Sequence, residues 1–75
     1  MNVYVLALAC VLGGSCQQGY FLLKNPAFVN CDADILPMIE GHRSKNGSGA
    51  TVTWHAQGCV KSSTPPHDRQ MLGMF

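Results

Sequence analysis

Apolar residues are concentrated at the start of the chain and recur later only in short runs. Val3–Leu12 is a run of ten apolar residues, and it is followed by the small residues Gly13–Cys16 and then by two glutamines. An apolar core of about 7–15 residues before a small-residue cleavage region is typical of a secretory signal peptide. We therefore predict that residues 1–16 are a signal peptide and that the mature protein is secreted. Cleavage after Cys16 is expected, with cleavage after Ser15 or Gly19 as alternatives.

Two alternatives for the same segment stay open. One is an uncleaved membrane anchor from Val3 to Leu23, although about 20 predominantly apolar residues are needed to span a bilayer and this stretch contains two glutamines and three glycines. The other is a buried strand or helix in the core of a cytosolic miniprotein. The signal peptide itself lacks the usual basic start, since Lys24 is the first basic residue.

Three short apolar runs follow and predict strands: Tyr20–Lys24, Ala27–Cys31 and Ile35–Glu40. The third run contains Pro37, which favours an edge strand because proline cannot donate to a central ladder. A helix from Asp32 to Glu40 with Asp32 as its cap is the alternative, although Pro37 would lie inside it and interrupt its hydrogen bonding.

The strongest strand signal is Thr51–Gln57, where apolar and polar residues alternate with a period of two. It follows a polar loop, Gly41–Gly49, in which Asn46 and Gly47 favour a tight turn. We therefore predict a hairpin between Ile35–Glu40 and Thr51–Gln57. The predicted fold is small and mainly β, an antiparallel sheet or a small β-sandwich of three or four strands within residues 17–60.

The composition changes after Val60. Residues 61–75 begin with serines, prolines and charged residues, and this predicts a flexible Pro/Ser-rich tail because there is little to bury. The tail ends in an apolar cluster, Met71, Leu72, Met74 and Phe75. This cluster either folds back over one face of the sheet, since exposed apolar clusters are uncommon, or is a linear motif for a partner.

The cysteines predict how so small a domain is stabilised. Removal of residues 1–16 leaves Cys31 and Cys59, and an even pair in an exported chain predicts one disulfide. The loop that it closes would contribute about 3–4 kcal/mol in the chain-entropy model. That is comparable with the whole stability expected of a domain this small.

Charge and side-chain chemistry exclude several function classes. The net charge of +1 is spread without runs, so the chain has no basic face for nucleic acid and no polybasic segment for anionic lipid. No close pair of metal ligands occurs, and we predict no metal and no cofactor. Cys59 and His55 are a weak nucleophile–base pair because Cys59 is needed for the disulfide, and so short a chain cannot wall off a substrate pocket. We predict no catalytic residues and no enzyme.

We therefore predict a secreted, non-enzymatic, monomeric protein that acts by surface contact with a partner protein, as an effector, toxin-like factor or ligand. It would bind no nucleic acid and, after cleavage, no membrane. The candidate contact residues are Arg43, Lys45, Trp54, His55, Met71, Leu72, Met74 and Phe75. Asn46 begins an Asn-Gly-Ser sequon, which makes it a candidate for N-glycosylation.

Two other functions stay open. One is a secreted protease inhibitor whose loop 41–49 carries Arg43 or Lys45 at its tip into a trypsin-like pocket. The other is a membrane-retained microprotein with an uncleaved N-terminal anchor. In size, signal peptide and cysteine content the chain resembles small exported β-sandwich proteins with one disulfide, including fungal effectors. No motif carries this resemblance, so it implies only a preference for an effector-like ligand.

Overall fold

Five strands form a single mixed sheet. In a computed structural model, which describes all residues from Met1 to Phe75, the strands are β1 (Asn2–Val11), β2 (Cys16–Leu23), β3 (Arg43–Lys45), β4 (Thr51–Ser62) and β5 (Gln70–Met74). Their spatial order is β3-β4-β1-β2-β5, and every pair is antiparallel except β2 with β5, which is parallel. The prediction of a small mainly-β protein is confirmed. The finer prediction of an antiparallel sheet or a sandwich is wrong, because one sheet contains a parallel pair.

The central strand comes from the segment that was predicted to be a signal peptide. β1 pairs with β2 from Val3 to Cys10 and with β4 from Asn2 to Val11. A strand that is paired on both sides and covered on both faces is typically a continuous apolar run, and β1 is apolar from Val3 to Val11. Cleavage after Cys16 stays a prediction. It would remove the middle strand of the sheet, so the fold described here is that of the uncleaved chain.

A short helical segment covers one face of the sheet. A π-helical turn, Cys31–Ile35, continues directly into α1 (Leu36–Ile39). Asn30 caps it, because its side-chain oxygen accepts a hydrogen bond from the Ala33 N–H at 3.1 Å. The Asp34 carboxylate accepts in return from the Asn30 N–H at 2.9 Å, so two otherwise unpaired donors are satisfied reciprocally.

The predicted strands at Ile35–Glu40 and Ala27–Cys31 are both wrong. Pro37 lies in the first turn of α1, where its fixed φ suits a helix. The helix alternative was nearer to the observed structure, with Asn30 rather than Asp32 as the cap. In the other segment the chain forms a turn, and Phe28 is 89% exposed.

The predicted strand Thr51–Gln57 is confirmed and extends to Ser62 as part of β4. Its hairpin partner is β3 rather than Ile35–Glu40. Asn46 closes the hairpin turn, since its side-chain oxygen accepts from the backbone N–H groups of Ser48 and Ala50 at 2.9 and 3.0 Å. The turn chemistry was therefore predicted correctly, but the residues that precede it were not.

Two disulfides link these elements. Cys31–Cys59 joins the π-helical turn to β4, as predicted, and Cys10–Cys16 joins the end of β1 to the start of β2. The expectation of a single disulfide is wrong because it assumed that Cys10 and Cys16 leave with a signal peptide. Between the sheet and the helical segment lies the core, whose buried members are Val3, Val5, Ala7, Leu23, Cys31, Ile35 and Ile39.

Residues 61–75, predicted to be a flexible tail, contain part of the sheet. Lys61 and Ser62 end β4, and the following segment crosses β1 and β2 to reach β5 at the far edge. Arg69 spans this crossing, because its guanidinium donates to Gln57 Oε1 on β4 at 2.5 Å and to the Gly19 carbonyl on β2 at 3.4 Å. None of the helices is long and apolar enough to cross a membrane.

Candidate functional site

An apolar cleft opens between α1 and the C-terminal end of the chain. Its volume is about 380 Å³. Eight residues from distant parts of the sequence line it: Phe21, Met38, Ile39, His42, Ser44, Trp54, Leu72 and Phe75. We term it the aromatic cleft.

Three aromatic rings form the inner wall of the aromatic cleft. The Phe21 ring centroid lies 5.8 Å from that of Trp54 and 4.8 Å from that of Phe75, within the range of favourable aromatic pairs. The Trp54 indole N–H donates to Ser44 Oγ at 3.0 Å. The ring is thus fixed against the hairpin, and its one polar atom is already satisfied.

The C-terminal part of the wall depends on a glycine. Leu72 lies so close to Gly19 on β2 that a Cβ atom at that position would overlap the leucine side chain. Beyond Leu72, the backbone of Phe75 pairs with β2, since its N–H donates to Leu22 O at 2.8 Å and its carbonyl accepts from Lys24 N–H at 2.7 Å. These contacts hold both C-terminal side chains of the wall in place.

The entrance of the aromatic cleft is apolar and exposed. Met38 on α1 stands at the entrance with 62% of its surface exposed. Because the Ser44 hydroxyl is engaged by the indole, His42 is the remaining polar side chain in the lining, and its ring makes no hydrogen bond. The arrangement can therefore bury an apolar group but offers few polar contacts to one.

A carboxylate holds the end of α1 against β4 beside the cleft. Glu40 accepts from the backbone N–H of Ala56 at 2.8 Å, and its other oxygen lies 3.3 Å from His55 Nδ1. The hydrogen bond from Ala56 and then that of His55 lower the pKa of Glu40 below its usual value. Both side chains are about half exposed, at 48% for His55 and 57% for Glu40. We assign this pair a structural role in tying α1 to the sheet.

The structure brings three of the predicted contact residues together and separates the others. Trp54, Leu72 and Phe75 share the aromatic cleft. Outside it lie Arg43 and Lys45 on β3, His55 on β4, and Met71 and Met74 on β5, all of them exposed. The sequence analysis missed the other five lining residues, Phe21, Met38, Ile39, His42 and Ser44. An exposed methionine on a correctly predicted helix would have been the signal for Met38.

The residues that were predicted for protease inhibition or N-glycosylation lie on β3 and in the turn that follows it. Arg43 and Lys45 belong to β3, so the tip of loop 41–49 is formed by Asn46–Gly49 and carries neither cation. Asn46 is exposed, and its side-chain oxygen is engaged within the turn while its amide nitrogen makes no hydrogen bond.

No three histidine, cysteine, aspartate or glutamate side chains gather closely enough to hold a metal ion. Comparison with protein-family models, curated proteins and solved structures finds no match to this chain.

Proposed function

We propose that this protein is a small secreted, non-enzymatic protein that binds a partner protein through the aromatic cleft. The observation that carries the proposal is the convergence of Trp54, Leu72 and Phe75 around an open apolar cavity with Met38 exposed at its entrance. Aromatic residues and methionine are enriched at the centres of protein interfaces. Burial of apolar surface there contributes about 25 cal/mol per Å² before the costs of association.

The proposed occupant is an aliphatic or aromatic side chain that projects from the partner's surface. Six of the eight lining residues are hydrophobic, and the cavity measures about 380 Å³. Small-molecule sites are also mainly apolar, but they orient their ligand with a small number of precisely placed polar groups. Here the polar groups are only the His42 ring and a Ser44 hydroxyl that already accepts from the indole, so an apolar side chain fits this lining better than a polar metabolite does.

Two disulfides without a free cysteine support the proposal of secretion, because disulfides persist in oxidising compartments. We further propose that the functional protein keeps residues 1–16, so that the proposal of secretion rests on the disulfides and no longer on a cleaved signal peptide. The reason is that β1 contributes Val3, Val5 and Ala7 to the core, and the wall of the aromatic cleft rests on the neighbouring strands.

Trp54 is the only tryptophan in the chain, so its fluorescence reports on the aromatic cleft directly. We expect N-acetylphenylalaninamide and N-acetylleucinamide to change this fluorescence in a saturable way, and N-acetylserinamide to leave it unchanged. Met38→Glu places a charge at the entrance and should weaken binding about tenfold, since burial of an unpaired charge is costly.

Met74→Glu is the matched control, because Met74 is similarly exposed, at 56%, but does not line the cleft. It should bind the apolar probes as the unmodified protein does. A photo-cross-linking amino acid at position 38, compared with position 74, then tests for a protein partner. Equal loss of probe binding in both variants, or no saturable change at all, would contradict the proposal.

A further inference from the structure

β4 leaves half of its outer edge unpaired. β3 pairs only with Thr51–Thr53, and the backbone of Gly41 and His42 extends this pairing as far as Trp54. The Glu40 carboxylate then accepts from the Ala56 N–H. Beyond that residue β4 has β1 on its inner side and no strand on the other.

The hydrogen bonds of β4 identify which groups face outward. Leu12 N–H donates to Thr51 O, so Thr51 and every second residue up to His55 face β1. The register then shifts by one residue opposite Leu6 and Ala7, and alternation places the backbone groups of Cys59 and Lys61 on the outer side. No hydrogen bond outside the regular ladders involves either residue's backbone.

A second cavity adjoins this open edge. It measures about 590 Å³ and lies between the segment Pro26–Asp34 and the ends of β1, β2 and β4. Its apolar lining includes Phe28, which is 89% exposed, and Val60, which is 37% exposed. We term this cavity the edge groove.

The charges of the edge groove favour a cation. Its lining contains two carboxylates, Asp32 and Asp34, and one ammonium group, that of Lys61. Asp34 is engaged by the Asn30 N–H, whereas Asp32 makes no hydrogen bond or ion pair with its side chain. An incoming basic side chain would therefore meet an unpaired carboxylate.

We propose that the open edge of β4 at Cys59–Lys61 binds an extended, basic segment of a partner protein by strand addition. The N–H and C=O groups of these two residues supply the main-chain hydrogen bonds. Because successive side chains of a strand alternate in direction, every second side chain of the added segment enters the edge groove. β3, the neighbouring edge, is three residues long and exposes Arg43 and Lys45, features that disfavour such pairing.

The test uses the full oxidised chain and a short synthetic peptide in which valines alternate with lysine and threonine. Amide NMR should show shifted signals for Cys59 and Lys61 on binding, and their hydrogen exchange should slow about tenfold or more. The same peptide with alternate backbone amides N-methylated should not bind, since it lacks the donors of an added strand. The unmodified protein should bind a peptide with glutamine in place of lysine about threefold more weakly than the lysine peptide. The Asp32→Asn variant should bind the two peptides equally well.

Lys61→Pro is the decisive variant. The Lys61 N–H faces outward and is unpaired, so proline removes a donor from the open edge without breaking the ladder to β1. We expect an unchanged thermal midpoint and at least about tenfold weaker peptide binding. Lys61→Thr removes the same charge but keeps the N–H, and it should bind the peptide at least as well as the unmodified chain.

Three outcomes would overturn this proposal. The N-methylated peptide could bind as well as the unmethylated one, or a folded Lys61→Pro variant could bind the peptide as well as the unmodified protein. The third outcome is a concentration-dependent dimer that Lys61→Pro abolishes, which would identify a second copy of the chain as the occupant. The proposal is independent of the aromatic cleft, since Met38→Glu should leave peptide binding at this edge unchanged. Failure at one site therefore does not decide the other.

Discussion

The apolar segments at the two ends of the chain are both strands, but they occupy opposite positions in the sheet. β1 is the central strand, paired on both sides, and Val5 and Ala7 within it are 0% exposed. β5 is an edge strand with a single partner, and Met71 and Met74 within it are 49% and 56% exposed. The protein's stability should therefore depend far more on the first end than on the second.

The difference follows from how the apolar residues are distributed. In β1 they occupy both alternating sets of positions, so Tyr4 is buried on one face as Val3 and Val5 are on the other. In β5 the side chain of Leu72 packs towards the core, whereas those of Met71 and Met74 are exposed. A strand with apolar side chains on both faces needs cover on both faces, which a central position provides. A strand with apolar side chains on only one face can lie at the edge of the sheet.

Removal of residues 1–16 should have the largest effect. The remaining chain would lose the strand that separates β2 from β4 and with it three of the seven buried core residues. Since a domain of this size has a stability of only a few kcal/mol, we expect the fragment 17–75 to be unfolded even with Cys31–Cys59 intact. Near-ultraviolet circular dichroism and amide NMR dispersion measure this. A cooperatively folded fragment would contradict the central role of β1 and would agree with the predicted signal peptide.

The two disulfides should contribute different amounts to the free energy of unfolding, because one closes a long loop and the other a short one. Cys31–Cys59 joins residues 28 apart and holds the helical segment on the sheet, so its replacement by alanines should cost about 3–4 kcal/mol. Cys10–Cys16 joins residues 6 apart in strands that already pair, and its replacement should cost about 2 kcal/mol or less. Denaturant unfolding of the two double variants gives both values. A larger loss from the shorter loop would show that the hairpin does not form without its disulfide.

Attachment of β5 can be tested at Gly19, with a smaller expected effect. A Cβ atom at this position overlaps the Leu72 side chain, so Gly19→Ala must displace Leu72 and should cost about 1–3 kcal/mol. Gly47→Ala is the control, because a Cβ atom there meets nothing within 4 Å. Thermal unfolding compares the two. Equal midpoints would mean that β5 contributes nothing to the stability of the fold.

Local signals predicted those parts of the fold that depend on neighbouring residues. The alternation in Thr51–Gln57 and the turn chemistry of Asn46 were sufficient to place the hairpin turn and its second strand. Asn30 caps the helical segment and Pro37 lies in the first turn of α1, but the proline was interpreted as a strand-edge signal because the run around it is apolar. A short helix with a π-helical first turn has no regular apolar period that the sequence could display.

Neither the position of β1 nor the aromatic cleft could be predicted from the sequence, and the two reasons differ. Ten consecutive apolar residues satisfy the requirements of a signal peptide and of a central strand equally, so the pattern of Val3–Leu12 cannot separate them. The aromatic cleft combines Phe21, Met38 and Phe75, which are distant in the sequence and meet only after the sheet order is known. Trp54 was identified because it stands out in an alternating strand, and not because its surroundings were predicted.

The smallest expected effect concerns the carboxylate that ties α1 to β4. Because hydrogen bonds lower the pKa of Glu40 in the folded protein, its ionised form stabilises the fold at pH values above the unfolded pKa of about 4.3. That stabilisation is lost as the pH falls through the lower, folded pKa.

Glu40→Gln should therefore slightly lower the thermal midpoint at pH 7 and should reduce its fall between neutral and strongly acidic pH. An identical acid profile for Glu40→Gln and the unmodified protein would mean that the contact with Ala56 does not persist in solution, and that α1 is held to the sheet by Cys31–Cys59 and core packing alone.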